Sequence, residues 1–331
     1  ITFVFLWYVV SNFRIGLTGI LATIFFWCMI VMSLIVACTF FASSHWSLEN
    51  INAHGGWFPK GSYGIMIAFA VFVLKFIGFE MVPTLAEEIK FNPKDMVKVI
   101  LYALLVPAIL YLIVVLAMGG MAPWDKIANM SMPEPEIVRH YGLPAIIGVI
   151  AIISGLLHAL TTLMGFWTSS ARALYGAAEL NQLPKIFMKL NRHGQPVICN
   201  AVVLFFSIFF CMFTGTNWVQ YIYAVSCIAA GLVYGIVCID AIILRKKYPN
   251  WERPYMAPGG NIVFVIGIIV SIWVLIGSCF ELDLGGYISL GIYFLIGLLL
   301  HGIMNILRKK DPVRYAPIIF TPNDVRKNNN V

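Results

Sequence analysis

The chain has 331 residues, of which 60% are hydrophobic and only 11% are Asp, Glu, Lys or Arg. A soluble domain carries about 25% charged residues, and a mean hydropathy of +0.88 leaves too few polar side chains to cover a water-exposed surface. Soluble enzymes, nucleic-acid-binding proteins and disordered chains are excluded, and an integral membrane protein remains. The net charge of +7 comes from 22 Lys and Arg against 15 Asp and Glu. In a membrane chain such an excess marks cytoplasmic loops rather than a nucleic-acid partner.

A crossing helix needs about 20 mostly apolar residues. In chain order this predicts a partial span at 1–12, then full spans near 20–42, 62–84, 99–120, 144–167, 197–214, 218–244, 261–280 and 286–307. Gly215-Thr216-Asn217 reads as a tight turn between two of them. The chain opens at Ile1 inside an apolar run, without an initiator Met and without a cleavable signal peptide, so a fragment of a longer protein is expected. The seven cysteines all lie in apolar runs with neither CxxC nor metal-ligand spacing, and read as small hydrophobes. No metal site is expected.

Loop charge sets the orientation. Arg172, Lys185, Lys189 and Arg192 follow one span, Arg245, Lys246, Lys247 and Arg253 another, and Arg308, Lys309, Lys310, Arg314, Arg326 and Lys327 the last. The loops at 43–61, 120–143 and 281–286 are poor in Lys and Arg. The positive-inside rule then predicts a cytoplasmic C-terminus. The stretch from Met121 to Pro144 is the longest outside connection and carries Trp124, Ile127, Ile137 and Val138, a set suited to capping a cavity.

An ionisable group at the bilayer centre costs about 2.5–3.5 kcal/mol on insertion scales, so each is a functional candidate. Lys75, Glu80 and His158 fall at similar depth, near or just past the midplane. Around Glu80 the chain reads Lys75-Phe76-Ile77-Gly78-Phe79-Glu80-Met81-Val82-Pro83. Glycine costs about 1 kcal/mol and proline about 3 in a helix interior. A Gly and a Pro flanking a charge at this depth predict a discontinuous helix, tolerated where it lines a cavity. Half-helix ends there present partial charges to a substrate or coupling ion. Two readings of Glu80 stand: an ion pair with Lys75, or substrate and proton handling. His158, Thr161 and Thr162 are read either as interhelical hydrogen-bonding residues or as coupling-ion candidates.

The pattern resembles the amino acid–polyamine–organocation superfamily of secondary transporters. Phe76-Ile77-Gly78-Phe79-Glu80 looks like its broken sixth helix, followed by Ala86-Glu87-Glu88 and Asn92-Pro93. Arg172-Ala173-Leu174-Tyr175, Leu183-Pro184, Asn191 and Gly194-Gln195-Pro196 look like its eighth helix and the loop beyond it. Arg253-Pro254-Tyr255 with Gly259-Gly260 resembles the stretch before its eleventh helix.

The resemblance implies an all-α membrane protein with the LeuT-like inverted-repeat transporter fold, present here from the end of helix 4 to helix 12. On that reading residues 1–61 are the tail of the first repeat and 62–244 the second repeat, broken near 78–83. Residues 245–310 would be helices 11 and 12, and 311–331 a cytoplasmic tail. It implies a substrate site at Ile77, Gly78, Phe79 and Glu80, completed by Phe166 or Trp167, with Glu80, Lys75, His158, Thr161 and Thr162 as coupling candidates.

The function implied is secondary transport of an amino acid by alternating access, proton-coupled or as an exchanger, in the plasma or inner membrane. The alternative is a polyamine- or ethanolamine-type amine permease. A channel and an intramembrane enzyme are disfavoured, since the spans hold no filter-like repeat, no HExxH and no GxSxG. No catalytic residue and no cofactor beyond a coupling H⁺ or Na⁺ is expected. The partners expected are a small-molecule substrate and the lipid bilayer.

Overall fold

Long apolar runs in hydrocarbon can satisfy their backbone N–H and C=O groups only by internal pairing, which makes them helices. The computed structural model describes residues 1–13, 15–84, 92, 95–212, 216–251, 253, 255–280 and 282–318. Ala86-Glu87-Glu88, Pro93, the Gly215 turn residue, Pro254 and the tail from 319 lie outside the described residues.

The α-helices among the described residues are α1 (Thr2–Ser11), α2 (Ile15–Phe41), α3 (Leu48–Asn52), α4 (Gly61–Phe72), α5 (Met81–Thr84), α6 (Met96–Met121) and α7 (Trp124–Ala128). They continue as α8 (Pro133–His140), α9 (Ala145–Glu179), α10 (Val197–Cys211), α11 (Thr216–Lys247), α12 (Asn261–Cys279) and α13 (Leu284–Lys310). Among the described residues six stretches are long and apolar enough to cross a membrane: Gly19–Phe41 in α2, Ile222–Lys247 in α11, and α6, α9, α12 and α13. The protein is therefore an all-α, multi-pass integral membrane protein.

Two of the expected full spans differ in form. The run at 62–84 is interrupted rather than continuous, and α10 has 15 residues, about 22 Å at 1.5 Å per residue. The break in 62–84 is the discontinuity that Gly78 and Pro83 lead one to expect, whereas a window of apolar residues reports composition and not helix length, which is why 197–214 reads as a full span. Conversely, α9 runs for 35 residues, past the expected end at 167, so Arg172 sits on that helix rather than in a loop.

The helices pack through small and polar residues, as expected where lipid is as apolar as Leu. Gly231 and Gly235 of α11 lie against Ser271 of α12. Ser33 of α2 and Ser154 of α9 share a 2.8 Å hydrogen bond. The 121–144 connection folds as α7 and α8, and α8 drives Ile137 and Val138 into a buried cluster with Val36, Phe40, Met121 and Ala151. Trp124, expected in that cap, is instead exposed.

Candidate functional site

α4 stops at Phe72, Val73–Phe76 forms a 3₁₀ turn, residues 77–80 make a non-helical turn, and α5 starts at Met81. The interruption thus lies at 73–80, upstream of the expected 78–83. Pro83 is the third residue of α5, where the N–H that proline lacks has no intrahelical partner in any case. Gly78, at φ +135°, takes a conformation that L side chains rarely adopt.

Buried backbone groups freed by such a break need new partners, and side chains supply them. The Gly78 N–H donates to Glu80 Oε2 at 2.8 Å. Tyr111 of α6 donates its hydroxyl to the Lys75 carbonyl at 3.2 Å. Tyr234 of α11 donates to the same Glu80 Oε2 at 3.2 Å, and its ring lies 5.5 Å from that of Phe79. Glu80 is therefore a cap on the broken backbone, held from α11. Lys75 and Glu80 do not pair among the described residues; the Lys75 ammonium lies 5.7 Å from the Tyr223 ring centre.

On the other side of the break a cavity of about 520 Å³ opens between α2, α6 and α9, with α8 at one end. Gly78 and Met81 line it from the break, Tyr111 from α6, and His158, Thr161, Thr162 and Phe166 from α9. Met29 and Ser33 line it from α2, and Glu134 from α8. The His158 Nδ1 sits 3.2 Å from Met29 Sδ. The Thr161 hydroxyl donates back to the Leu157 and His158 carbonyls, 3.0 Å from each.

Of the residues singled out in the sequence, Gly78, His158, Thr161, Thr162 and Phe166 converge on this cavity. Ile77, Phe79, Glu80 and Lys75 do not line it, because the turn at 77–80 directs Phe79 and Glu80 toward α11. Trp167 is 2% exposed and packs with Val4, Trp7 and Met164. Its indole N–H donates to Asn200 Oδ1 of α10 at 3.0 Å. At about 100° per residue on a 3.6-residue helix, neighbours such as Phe166 and Trp167 face different ways, and the cavity side belongs to Phe166.

The sequence reading overlooked Tyr111, Tyr234 and Glu134. A hydroxyl in mid-span was the available signal for the two tyrosines. Glu134 was hidden in a connection read for its apolar residues. Burial of Glu134 pushes its carboxyl above the ordinary value of 4.5.

An interrupted helix whose backbone opens on a cavity between long apolar helices defines a class: a multi-pass helical membrane protein of the LeuT-like architecture. The family model for amino acid permeases matches residues 2–310, and the chain belongs to that family. It is 27% identical over 262 residues to the gamma-aminobutyric acid permease of Bacillus subtilis, an alignment covering 73% of this chain and 54% of that one. The D-serine/D-alanine/glycine transporter of Escherichia coli K12 is 27% identical over 271 residues, 77% of this chain and 56% of its own. The branched-chain amino acid permease of B. subtilis is 24% identical over 249 residues, 75% and 52% of the two chains. The chain spans about half the length of the curated relatives it matches.

Proposed function

We propose that the protein carries an amino acid across the membrane by alternating access, as the part of a secondary transporter that contains the second broken-helix repeat. The observation that supports this most is the interruption at 73–80, where Gly78 brings bare backbone to the wall of a cavity. Such a site holds a zwitterion by dipoles and backbone contacts, and rocking of the surrounding helices exposes it to each side in turn. The three relatives described above are named as carriers of amino acids, which agrees with that substrate class.

Transport rather than catalysis is the activity, coupled to protons or run as exchange. Glu80 is the coupling group in this reading. Ionised, its Oε2 accepts from both Gly78 and Tyr234; protonation weakens that grip and frees the break to move against α11. The membrane is a plasma or inner membrane. The basic ends of α11 and α13, with Arg245, Lys246, Lys247, Arg308, Lys309 and Lys310, support a cytoplasmic C-terminus through the positive-inside rule.

Glu80→Gln keeps an acceptor for Gly78 and removes the ionisable group. In a polypeptide of the relatives' full length, reconstituted in liposomes, it flattens the pH dependence of labelled amino acid uptake. An unaltered pH profile with unaltered affinity contradicts the coupling role.

A further inference from the structure

Among the described residues the cavity has one carboxylate in its lining, and it is Glu134 rather than Glu80. α8 is anchored by Ile137 and Val138, which are 0% and 3% exposed. Glu134 lies three and four residues before them, on the same face of the helix, and so enters the cavity with its anchors fixed beneath it. Glu136, on another face, is already used: its Oε1 accepts the Met132 N–H at 2.9 Å. Among the described residues Glu134 has no hydrogen-bond or ion-pair partner.

Glu134 lines the same cavity as Ser33 and Ser154, and Ser154 lies about 18 Å along α9 from Phe166. No Lys or Arg is among the lining residues. The titratable groups that share the cavity with Glu134 are His158 of α9, one turn below Ser154, and Tyr111 of α6; α2 contributes none.

We infer that Glu134 forms a cation subsite at the α8 end of the cavity, which takes the ammonium group of a primary amine, with the Ser33 and Ser154 hydroxyl oxygens as further acceptors. The carboxylate supplies a charge-assisted bond to an N–H donor, and the cavity's other polar lining adds no opposing fixed charge. The inference rests on the carrier reading only in treating the cavity as open to solutes, and it narrows the substrates to those with a free amine. The raised protonation range of Glu134 agrees with a carboxyl kept partly dry until such a cation arrives.

The test is calorimetric titration of the purified protein in lipid nanodiscs with putrescine at pH 7.5, alongside Glu134→Gln, Glu134→Asp and, as the control on the same helix, Glu136→Gln. Binding about tenfold weaker in Glu134→Gln, largely restored in Glu134→Asp and unchanged in Glu136→Gln supports the subsite. Circular dichroism of each variant confirms that the helices are intact. Wild-type binding retained in Glu134→Gln, or no putrescine binding by the wild type, overturns it. Uptake assays on the full-length polypeptide separate the two proposals: uptake with no effect of Glu134→Gln on amine binding strikes only the subsite, and amine binding without uptake strikes only carriage.

Discussion

Two carboxylates in this molecule face ways that their positions in the sequence do not suggest. Glu80 sits in a glycine-flanked stretch at mid-span and reads as the charge of the site, yet its Oε2 is held by Gly78 and Tyr234 and faces α11. Glu134 sits in a loop between spans and faces the cavity. The local half of this was legible: a carboxylate two residues from a glycine can fold back on its N–H. The direction of the side chain relative to α11 and the cavity was not, because it depends on helices more than a hundred residues away. Glu134 also fixes a sign. Its carboxyl protonates above the ordinary value of 4.5, and amine binding needs the ionised form. As pH falls through that raised range, putrescine affinity weakens toward tenfold per unit. Titrations from pH 8 to pH 4 check this; a flat affinity contradicts it, and Glu134→Gln removes most of the dependence.

At the scale of the element, the discontinuity of the 62–84 helix was readable from Gly78 and Pro83, but its place was not. The helix yields at 73–80 because that is where Tyr111, Glu80 and Tyr234 stand ready to satisfy the freed groups, and Pro83 finds a harmless seat in the first turn of α5. If Glu80 caps the break, Glu80→Ala exposes the Gly78 amide. Hydrogen exchange followed by mass spectrometry then shows faster exchange over 73–84 than in the wild type, with Glu80→Gln intermediate. Equal protection in all three contradicts the cap. The same scale separates Phe166 from Trp167, which the sequence left ambiguous by one residue. Trp167→Phe strands the buried Asn200 acceptor, a loss of about 1–3 kcal/mol, and lowers the melting temperature without removing a cavity wall. Phe166→Ala leaves the melting temperature nearly unchanged and alters ligand affinity. Differential scanning fluorimetry and ligand titration on both variants decide it, and the reverse pattern refutes the assignment.

Across the whole molecule, composition alone announced a membrane protein, and the order of short motifs over the chain announced its superfamily, because both properties are linear in sequence. What remained hidden was tertiary: which helices enclose the cavity, and that α9 continues well beyond the length a bilayer core needs. The long helices meet through hydroxyls and glycines, such as Ser33 with Ser154 and Gly231 with Ser271, which let their backbones approach closely. The account's central claim is that the interrupted helix and its cavity are a carrier site. Counterflow tests it most directly, in liposomes containing a polypeptide of the relatives' full length and preloaded with an unlabelled amino acid from a panel of small neutral and amine-bearing members. The account predicts saturable uptake of the labelled compound, accelerated by the same compound inside. Flux that rises linearly with concentration and ignores the internal amino acid would contradict it.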